Sequence, residues 1–141
     1  MQSIVVDTGP LVAWFDPDDK HHQRAERWLK RHGTAFKRYT TLAVVTEASH
    51  LIDSVDAGAA LLEWIAAGAI IIVAVDNADL RAISARMLRY RDTPMDFADA
   101  SLLWLADRLG TRSVLTIDER GFGAFRLAGG KRPLLELQRS D

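Results

Sequence analysis

The sequence predicts an α/β domain in which helices cover a parallel β-sheet. Short β-branched runs alternate with segments of helical periodicity along all 141 residues. The run Ala69–Val75 is apolar without alternation, a pattern typical of a strand buried on both faces of a parallel sheet. No linker, internal repeat or low-complexity segment interrupts the pattern, so we expect one domain over residues 1–141.

In the first half of the chain, β-branched runs, caps and glycine stops define the elements. Gly9-Pro10 marks a turn with proline at a first helical position. Thr40 or Thr41 is placed to cap a helix, and Gly33 and Gly68 are placed to end helices. The predicted elements are a strand over Ile4–Val6, a helix start at Pro10, a polar helix from Asp18 to about His32, a strand over Ala35–Tyr39, and helices over Leu42–Asp53 and Val55–Ala67.

The second half continues the alternation. Asp76 or Asn77 is placed to cap a helix, and Gly110 is placed to end one. The predicted elements are a strand over Ala69–Val75, a helix to about Tyr90, a helix over Asp96–Leu109, a strand over Ser113–Ile117, a loop over 129–133 and a last strand over Leu134–Leu137.

Composition excludes several classes of protein. Eighteen basic and 19 acidic residues give a net charge of −1, so nucleic-acid binding would need a local basic patch. The absence of cysteine excludes disulfides, thiolate metal sites and a cysteine nucleophile. The first residues contain neither a basic leader nor a long apolar stretch, so we expect a cytoplasmic protein with no membrane association.

Four acidic residues lie where the predicted elements would bring them to one pocket. Asp7 ends the first strand, and Asp118 follows the strand Ser113–Ile117. Glu47 borders the apolar stripe of its helix, and Asp99 begins a buried stripe near a helix N-terminus. In parallel sheets, ligands bind beyond the carboxyl ends of the strands. Carboxylates set in apolar sequence without basic partners therefore suggest a bound cation.

Each acid also has an ordinary structural interpretation. Asp7 fits a helix cap, and Asp118 fits a turn residue. Glu47 fits a solvated helix residue. Asp96 and Asp99 are three residues apart and fit a capping box, which is the role favoured for Asp96. The joint pattern favours a site, because four separate structural roles would otherwise have to coincide at one edge of the sheet.

The carboxylate oxygens of the pocket indicate which cation would bind and which reaction it would support. Mg²⁺ and Mn²⁺ prefer oxygen ligands, and Mg²⁺ often binds through few carboxylates beside substrate phosphates. A pocket of carboxylates without His or Cys ligands fits phosphodiester hydrolysis by an activated water.

The ordered motifs resemble those of a known family. They are DTGPLVA at the first strand, a glutamate in the following TTLAVVTEASHLI helix, MDFADASLLWLA, and SVLTIDERGF. Together they resemble the PIN-domain ribonucleases, and in particular the VapC-type toxins of bacterial toxin–antitoxin pairs. The resemblance covers nearly the whole chain.

The resemblance implies a three-layer α/β/α fold with a five-stranded parallel sheet of order 3-2-1-4-5. It also implies a Mg²⁺- or Mn²⁺-dependent endoribonuclease that forms homodimers and is blocked by a cognate antitoxin protein. Asp7 and Asp99 would be the principal metal ligands, with Glu47 completing the metal site or positioning water. Asp118 would support a second metal or orient the cluster. Asp96, Thr8 and Thr116 would lie beside the ligands.

RNA binding needs cations near these acids, because carboxylates repel phosphate. Arg120 is the favoured candidate, since it lies two residues after Asp118. The weaker candidates are Lys20, His21, His22, Lys37, Arg38, Arg126, Lys131 and Arg132.

Other functions are less consistent with the sequence. A haloacid-dehalogenase-like phosphatase needs a second aspartate two residues after Asp7, where Gly9 stands. A receiver domain needs an aspartate at the end of its central strand, which the strand ending at Tyr39 lacks. A non-catalytic RNA- or protein-binding module remains an alternative, although all four acids are retained.

Overall fold

A five-stranded parallel sheet forms the centre of the molecule. The computed structural model describes residues 1–141, and the strand order is β3-β2-β1-β4-β5. The strands are β1 (Gln2–Val6), β2 (Phe36–Thr40), β3 (Ile71–Ile72), β4 (Ser113–Leu115) and β5 (Leu134–Leu135). The predicted fold class and the strand order implied by the resemblance are confirmed.

Eight α-helices connect and cover the strands. They are α1 (Thr8–Phe15), α2 (His22–His32), α3 (Leu42–Leu51), α4 (Val55–Ala66), α5 (Asp79–Arg89), α6 (Phe97–Leu109), α7 (Glu119–Ala124) and α8 (Glu136–Arg139). None of them is both long and apolar enough to cross a membrane.

The central strand β1 is buried on both faces. Ile4, Val5 and Val6 are all fully buried, and successive strand side chains point to opposite faces of the sheet. Helices must therefore cover both sides of β1, as the three-layer prediction requires. Burying side chains of this size contributes about 1.5–3 kcal/mol each to folding, and β1 thereby fixes the position of the Asp7 backbone that follows it.

The prediction for residues 69–75 was wrong in extent and in burial. Only Ile71 and Ile72 pair as a strand, and β3 lies at the edge of the sheet against β2. The side chains of Ile71 and Ile72 are 38% and 37% exposed. An apolar run shows that a segment suits burial, but the helices that pack on the two faces of a strand decide whether its side chains are covered.

Several other boundaries differ from the predictions. The helix predicted from Asp18 begins at His22, and the one predicted after Asp76 or Asn77 begins at Asp79. The Asp76 carboxylate instead accepts backbone hydrogen bonds from Ala78 and Asp79 in the turn before α5. The predicted last strand stops at Leu135 and continues as α8, and α7 had no counterpart in the prediction. Helices of only four to six residues, such as α7 and α8, carry too little periodicity to be recognised.

Asp107 of α6 links three segments on the side of α5. Its Oδ2 accepts from the Arg86 guanidinium, and its Oδ1 accepts from the Ala128 backbone N–H at 2.9 Å. Replacing Asp107 by Ala is expected to lower the free energy of unfolding by about 2 kcal/mol, because it leaves both donors without their acceptor. Urea unfolding beside Asp92→Ala, at an exposed position, checks this; equal stability of the two variants would contradict it.

Candidate active site

A cavity of about 430 Å³ opens at the carboxyl edge of the central strands. The structure brings the four sequence-predicted acids together around it, although they are up to 111 positions apart in the chain. The lining residues are Asp7, Thr8, Gly9, Val12, Asp19, His21, Glu47, Leu51, Asp96, Asp99, Ile117 and Asp118.

Asp7 is the most deeply buried of these acids, with 7% of its surface exposed. Its backbone N–H donates to the Leu115 carbonyl at 2.9 Å, which extends the pairing of β1 with β4. It stands at the N-cap of α1, but its side chain makes no capping hydrogen bond. Its Oδ2 instead accepts from the Thr116 hydroxyl at 2.7 Å. Burial raises the pKa of Asp7 to about 6, although this hydrogen bond acts in the opposite direction.

Thr116 connects two of the acids. Its hydroxyl donates to Asp7 and accepts from the backbone N–H of Asp118 at 3.0 Å. Thr116 therefore holds the Asp7 carboxylate in place and fixes the start of the turn that carries Asp118. It is fully buried, so no water replaces either partner without a rearrangement.

Replacing Thr116 by Val is expected to lower the free energy of unfolding by about 1–3 kcal/mol. The substitution keeps the shape of the side chain but removes one buried donor and one acceptor. Thr116→Ser keeps the hydroxyl and is expected to retain most of the stability. Denaturant titration of both variants checks this, and an equal loss in both would contradict a role for the hydroxyl.

Asp96 and Asp99 begin α6 with the predicted capping box. The Asp96 carboxylate accepts from the Asp99 N–H at 2.8 Å, and the Asp99 carboxylate accepts from the Asp96 N–H at 3.3 Å. Both side chains also line the cavity, so capping and a place in the site are compatible. Burial raises the pKa of Asp99 to about 7, and the nearby charges of Asp96 and Asp7 add to this shift.

Glu47 reaches the cavity from α3. Its Oε2 accepts from the Thr8 hydroxyl at 3.3 Å, which places Thr8 between Glu47 and Asp7. Glu47 is half-buried rather than fully solvated, and its charge contributes to the raised pKa of Asp7. The interpretation of Glu47 as a simple surface residue therefore does not describe its position.

Asp118 is exposed and caps α7. Its Oδ1 accepts from the Gly121 N–H at 3.0 Å, so Asp118 has the structural role in the turn that the sequence suggested and, in addition, caps α7. Its side chain also lines the cavity, and its charge acts on Asp7. The same residue thus orders the turn after β4 and contributes negative charge to the cavity.

Two glycines allow the elements around the site to end and pack as they do. A Cβ on Gly9 would lie 3.0 Å from the Cδ1 atom of Ile117, so its absence lets the first turn of α1 lie close to the chain that follows β4. Gly110 ends α6 in the left-handed conformation with φ 69°, as its predicted stop requires.

Asp19 lines the cavity but was not among the predicted site residues. It was expected in the first turn of the helix predicted from Asp18. It lies instead in the turn before α2, where its carboxylate accepts from the His21 N–H at 2.8 Å. His21, an RNA-binding candidate in the sequence that could also lie at the rim of the pocket, lines the cavity. No local signal identifies either residue, because their approach depends on how the chain returns from the end of α1.

The basic candidates are distributed unequally around the cavity. Lys20 is exposed beside His21, and Arg120 is exposed two residues after Asp118. Lys37 and Arg38 instead are the second and third of the five residues of β2, opposite Ser3 and Ile4, and precede its carboxyl end. The Arg38 guanidinium donates to the carbonyls of Gly33 and Ala69 and lies 5.6 Å from the Trp64 ring.

The remaining basic candidates lie outside the cavity lining. The His22 ring contacts the Ala13 carbonyl at 2.7 Å. The Arg126 guanidinium donates to the carbonyls of Gly123 and Phe125. Lys131 and Arg132 are exposed in the loop before β5.

The acids of the cavity fit a hard divalent cation. All are oxygen donors, and the raised pKa values of Asp7 and Asp99 reflect an excess of negative charge and burial that a cation would relieve. No three acidic or imidazole side chains lie close enough to form a direct coordination shell by themselves. Mg²⁺ commonly binds through one or two carboxylates and keeps several waters, so Asp7 and Asp99 could hold it directly with the other acids acting through water.

Comparison with known proteins assigns the family. The model of the PIN domain matches residues 4–127, which is most of the chain. The chain belongs to the PIN-domain family. This PIN domain is 32% identical over 132 residues to ribonuclease VapC26 of Mycobacterium tuberculosis, covering 92% of this chain and 96% of that protein. The family predicted from the motifs is thereby confirmed.

Solved structures of VapC proteins share the fold of this PIN domain. The crystal structure of Mycobacterium tuberculosis VapC20, a toxin that cleaves the sarcin–ricin loop, superposes with a TM-score of 0.72 at 18% identity over 79% of this chain and 86% of that one. VapBC2 of Rickettsia felis, bound to a DNA fragment from its promoter, gives a TM-score of 0.62 at 11% identity over 85% of this chain and 93% of that one.

Proposed function

We propose that this PIN domain is a Mg²⁺- or Mn²⁺-dependent endoribonuclease and the toxin of a VapBC-type pair. The observation that carries the proposal is the convergence of Asp7, Glu47, Asp99 and Asp118 on one cavity, in a chain 32% identical to a VapC ribonuclease. Membership of the family supports the class of activity, and the donor chemistry of the cavity supports the metal.

The chain's own residues would have distinct roles in this reaction. Asp7 and Asp99 would hold the cation, and Thr116 would orient Asp7 through their 2.7 Å hydrogen bond. Glu47 would orient the attacking water, with its own carboxylate held by Thr8. Asp118 would complete the negative charge at the exposed side of the cavity or support a second cation. A bound Mg²⁺ or Mn²⁺ would activate water and stabilise charge on the attacking and leaving oxygens.

Contacts with RNA outside the reacting phosphate would come from basic residues at the rim. Lys20 and Arg120 are exposed near the acids and are the better placed candidates. Lys37 and Arg38 precede the carboxyl end of β2, where the cavity lies, so they would contact only RNA that extends beyond the cavity. The expected cleavage leaves a 5′-phosphate and a 3′-hydroxyl.

Asp99→Asn is expected to abolish metal-dependent cleavage while leaving the fold intact. The substitution removes one ligand charge but keeps an oxygen that can accept the capping hydrogen bond from Asp96. Purified wild type and variant would be given mixed transfer and ribosomal RNA with Mn²⁺ or Mg²⁺, beside reactions in EDTA. Full activity of the variant would refute the assignment of the site.

The same experiment distinguishes a nuclease from a non-catalytic binding module. A binding module would bind RNA or a protein equally well in EDTA and would cleave nothing with either metal. That result would replace the nuclease proposal with a binding function on the same fold.

A cognate antitoxin protein and a second copy of the chain are the proposed protein partners. The Rickettsia felis structure with the same fold is that of VapBC2, which supports a VapB-type antitoxin partner for this chain. Chromatography with light scattering that finds only monomer at micromolar concentration would contradict the homodimer.

A further inference from the structure

Basic residues are concentrated in one short segment of a chain whose net charge is −1. Residues 20–32 contain five lysine or arginine residues and one acidic residue, Glu26, so this segment carries a formal charge of +4 and the remaining 128 residues carry −5. The segment comprises Lys20, His21 and the whole of α2. A local field of this kind attracts a polyanion even when the whole protein is slightly acidic.

The outward face of α2 carries three of these five cations. Ala25 and Trp28 face the core, while Arg27, Lys30 and Arg31 are exposed. Lys30 pairs with Glu26 at 3.2 Å, but the guanidinium groups of Arg27 and Arg31 take part in no ion pair. We name Arg27, Lys30 and Arg31 the α2 basic face.

The start of α2 lies at the acidic cavity. His21 precedes the helix and lines the cavity, and among the lining residues its side chain is the only one with a nitrogen donor. The His21 backbone is fixed by its hydrogen bond to Asp19, and the next residue is fixed by the contact of the His22 ring with the Ala13 carbonyl. With a rise of 1.5 Å per residue, the α2 basic face lies about 9 to 15 Å farther along the helix axis than His21.

We propose that the α2 basic face, with His21 at its cavity end, binds the phosphodiester backbone of an RNA strand whose reacting phosphate lies in the acidic cavity. This inference rests on the proposed ribonuclease function. It adds the direction in which the bound RNA strand extends away from the reacting phosphate. The carboxylates would repel neighbouring phosphates, and the cations of the α2 basic face would compensate this repulsion where the strand extends away from the cavity. Contacts to phosphate position the strand without reading its sequence.

The test measures RNA binding separately from cleavage. A fluorescein-labelled single-stranded RNA of mixed sequence would be titrated with Asp99→Asn protein, over a series of salt concentrations. Adding Arg27→Gln, Lys30→Gln and Arg31→Gln is expected to weaken binding at least tenfold at low salt. The slope of log affinity against log salt should become shallower by about 2, since each lost contact to a single strand removes about 0.7.

A matched control removes the same charge elsewhere. Arg81→Gln, Arg89→Gln and Arg91→Gln change three exposed arginines in and after α5 and are expected to alter the affinity less than twofold. Equal losses in the two triple variants would show a general effect of net charge and would overturn the proposal. An unchanged affinity for RNA in the α2 variant would also overturn it.

His21 has its own pair of variants. His21→Ala removes the nitrogen donor and is expected to weaken RNA binding several-fold, whereas His50→Ala, at an exposed position in the last turn of α3 outside the cavity lining, should leave it unchanged. Equal affinities for the two would remove His21 from the proposal. Failure of the wild type to cleave RNA with any metal would count against the ribonuclease, whereas the binding data would still decide the role of the α2 basic face.

Discussion

Asp7→Asn is expected to reduce RNA cleavage by at least about a hundredfold while raising the stability of the metal-free protein near neutral pH. The carboxylate is buried, and its pKa is raised to about 6, so holding it ionised in the folded state costs free energy. The amide keeps an oxygen for the Thr116 hydroxyl but cannot supply the charge that a divalent cation requires. Loss of one such electrostatic contribution typically costs two to three orders of magnitude in rate.

Two measurements on the same samples check this prediction. Initial cleavage rates with Mn²⁺ and thermal unfolding in EDTA at pH 7.5 would be compared for the wild type, Asp7→Asn and Asp92→Asn, an exposed control position. A parallel loss of activity and stability in Asp7→Asn would indicate a purely structural role. Loss of activity with unchanged or higher stability would identify a group kept for function.

The second large effect is a fall in the stability of the metal-free protein as pH rises from about 4 to about 7. In this window the folded protein binds more protons than the unfolded chain, because the pKa values of Asp7 and Asp99 are raised to about 6 and about 7. Unfolding is therefore favoured as pH rises, and the dependence ends above the folded-state pKa values. For the buried Asp7 alone, the raised pKa corresponds to about 3 kcal/mol at most.

Urea unfolding in EDTA at a series of pH values checks this expectation. Asp7→Asn should flatten the profile, and Asp92→Asn should not. Adding Mg²⁺ at pH 7.5 should recover stability in the wild type, since a ligand that binds only the folded state stabilises it. A stability that rises steadily between pH 4 and pH 7 in EDTA would contradict the assigned electrostatics of the cavity.

Three of the cavity acids also have the local structural roles that their positions in the sequence indicated. Asp96 and Asp99 form the capping box that their spacing indicated, and Asp118 caps α7. These local roles do not compete with a place in the cavity, because a cap fixes the backbone while part of the carboxylate stays available. Asp7 differs, since its side chain makes no capping bond to α1 and accepts from Thr116 on a neighbouring segment.

The sequence by itself determined the α/β class, most helices and the edge of the sheet at which the acids collect. These features depend on local periodicity, caps and the rule that parallel strands present their carboxyl ends together. It did not determine that Ile71 and Ile72 lie on an exposed edge strand, or that Asp19 and His21 return to the cavity. Only the tertiary structure decided these exposures and positions. They depend on which distant segments pack against a residue, and the local sequence does not specify those segments.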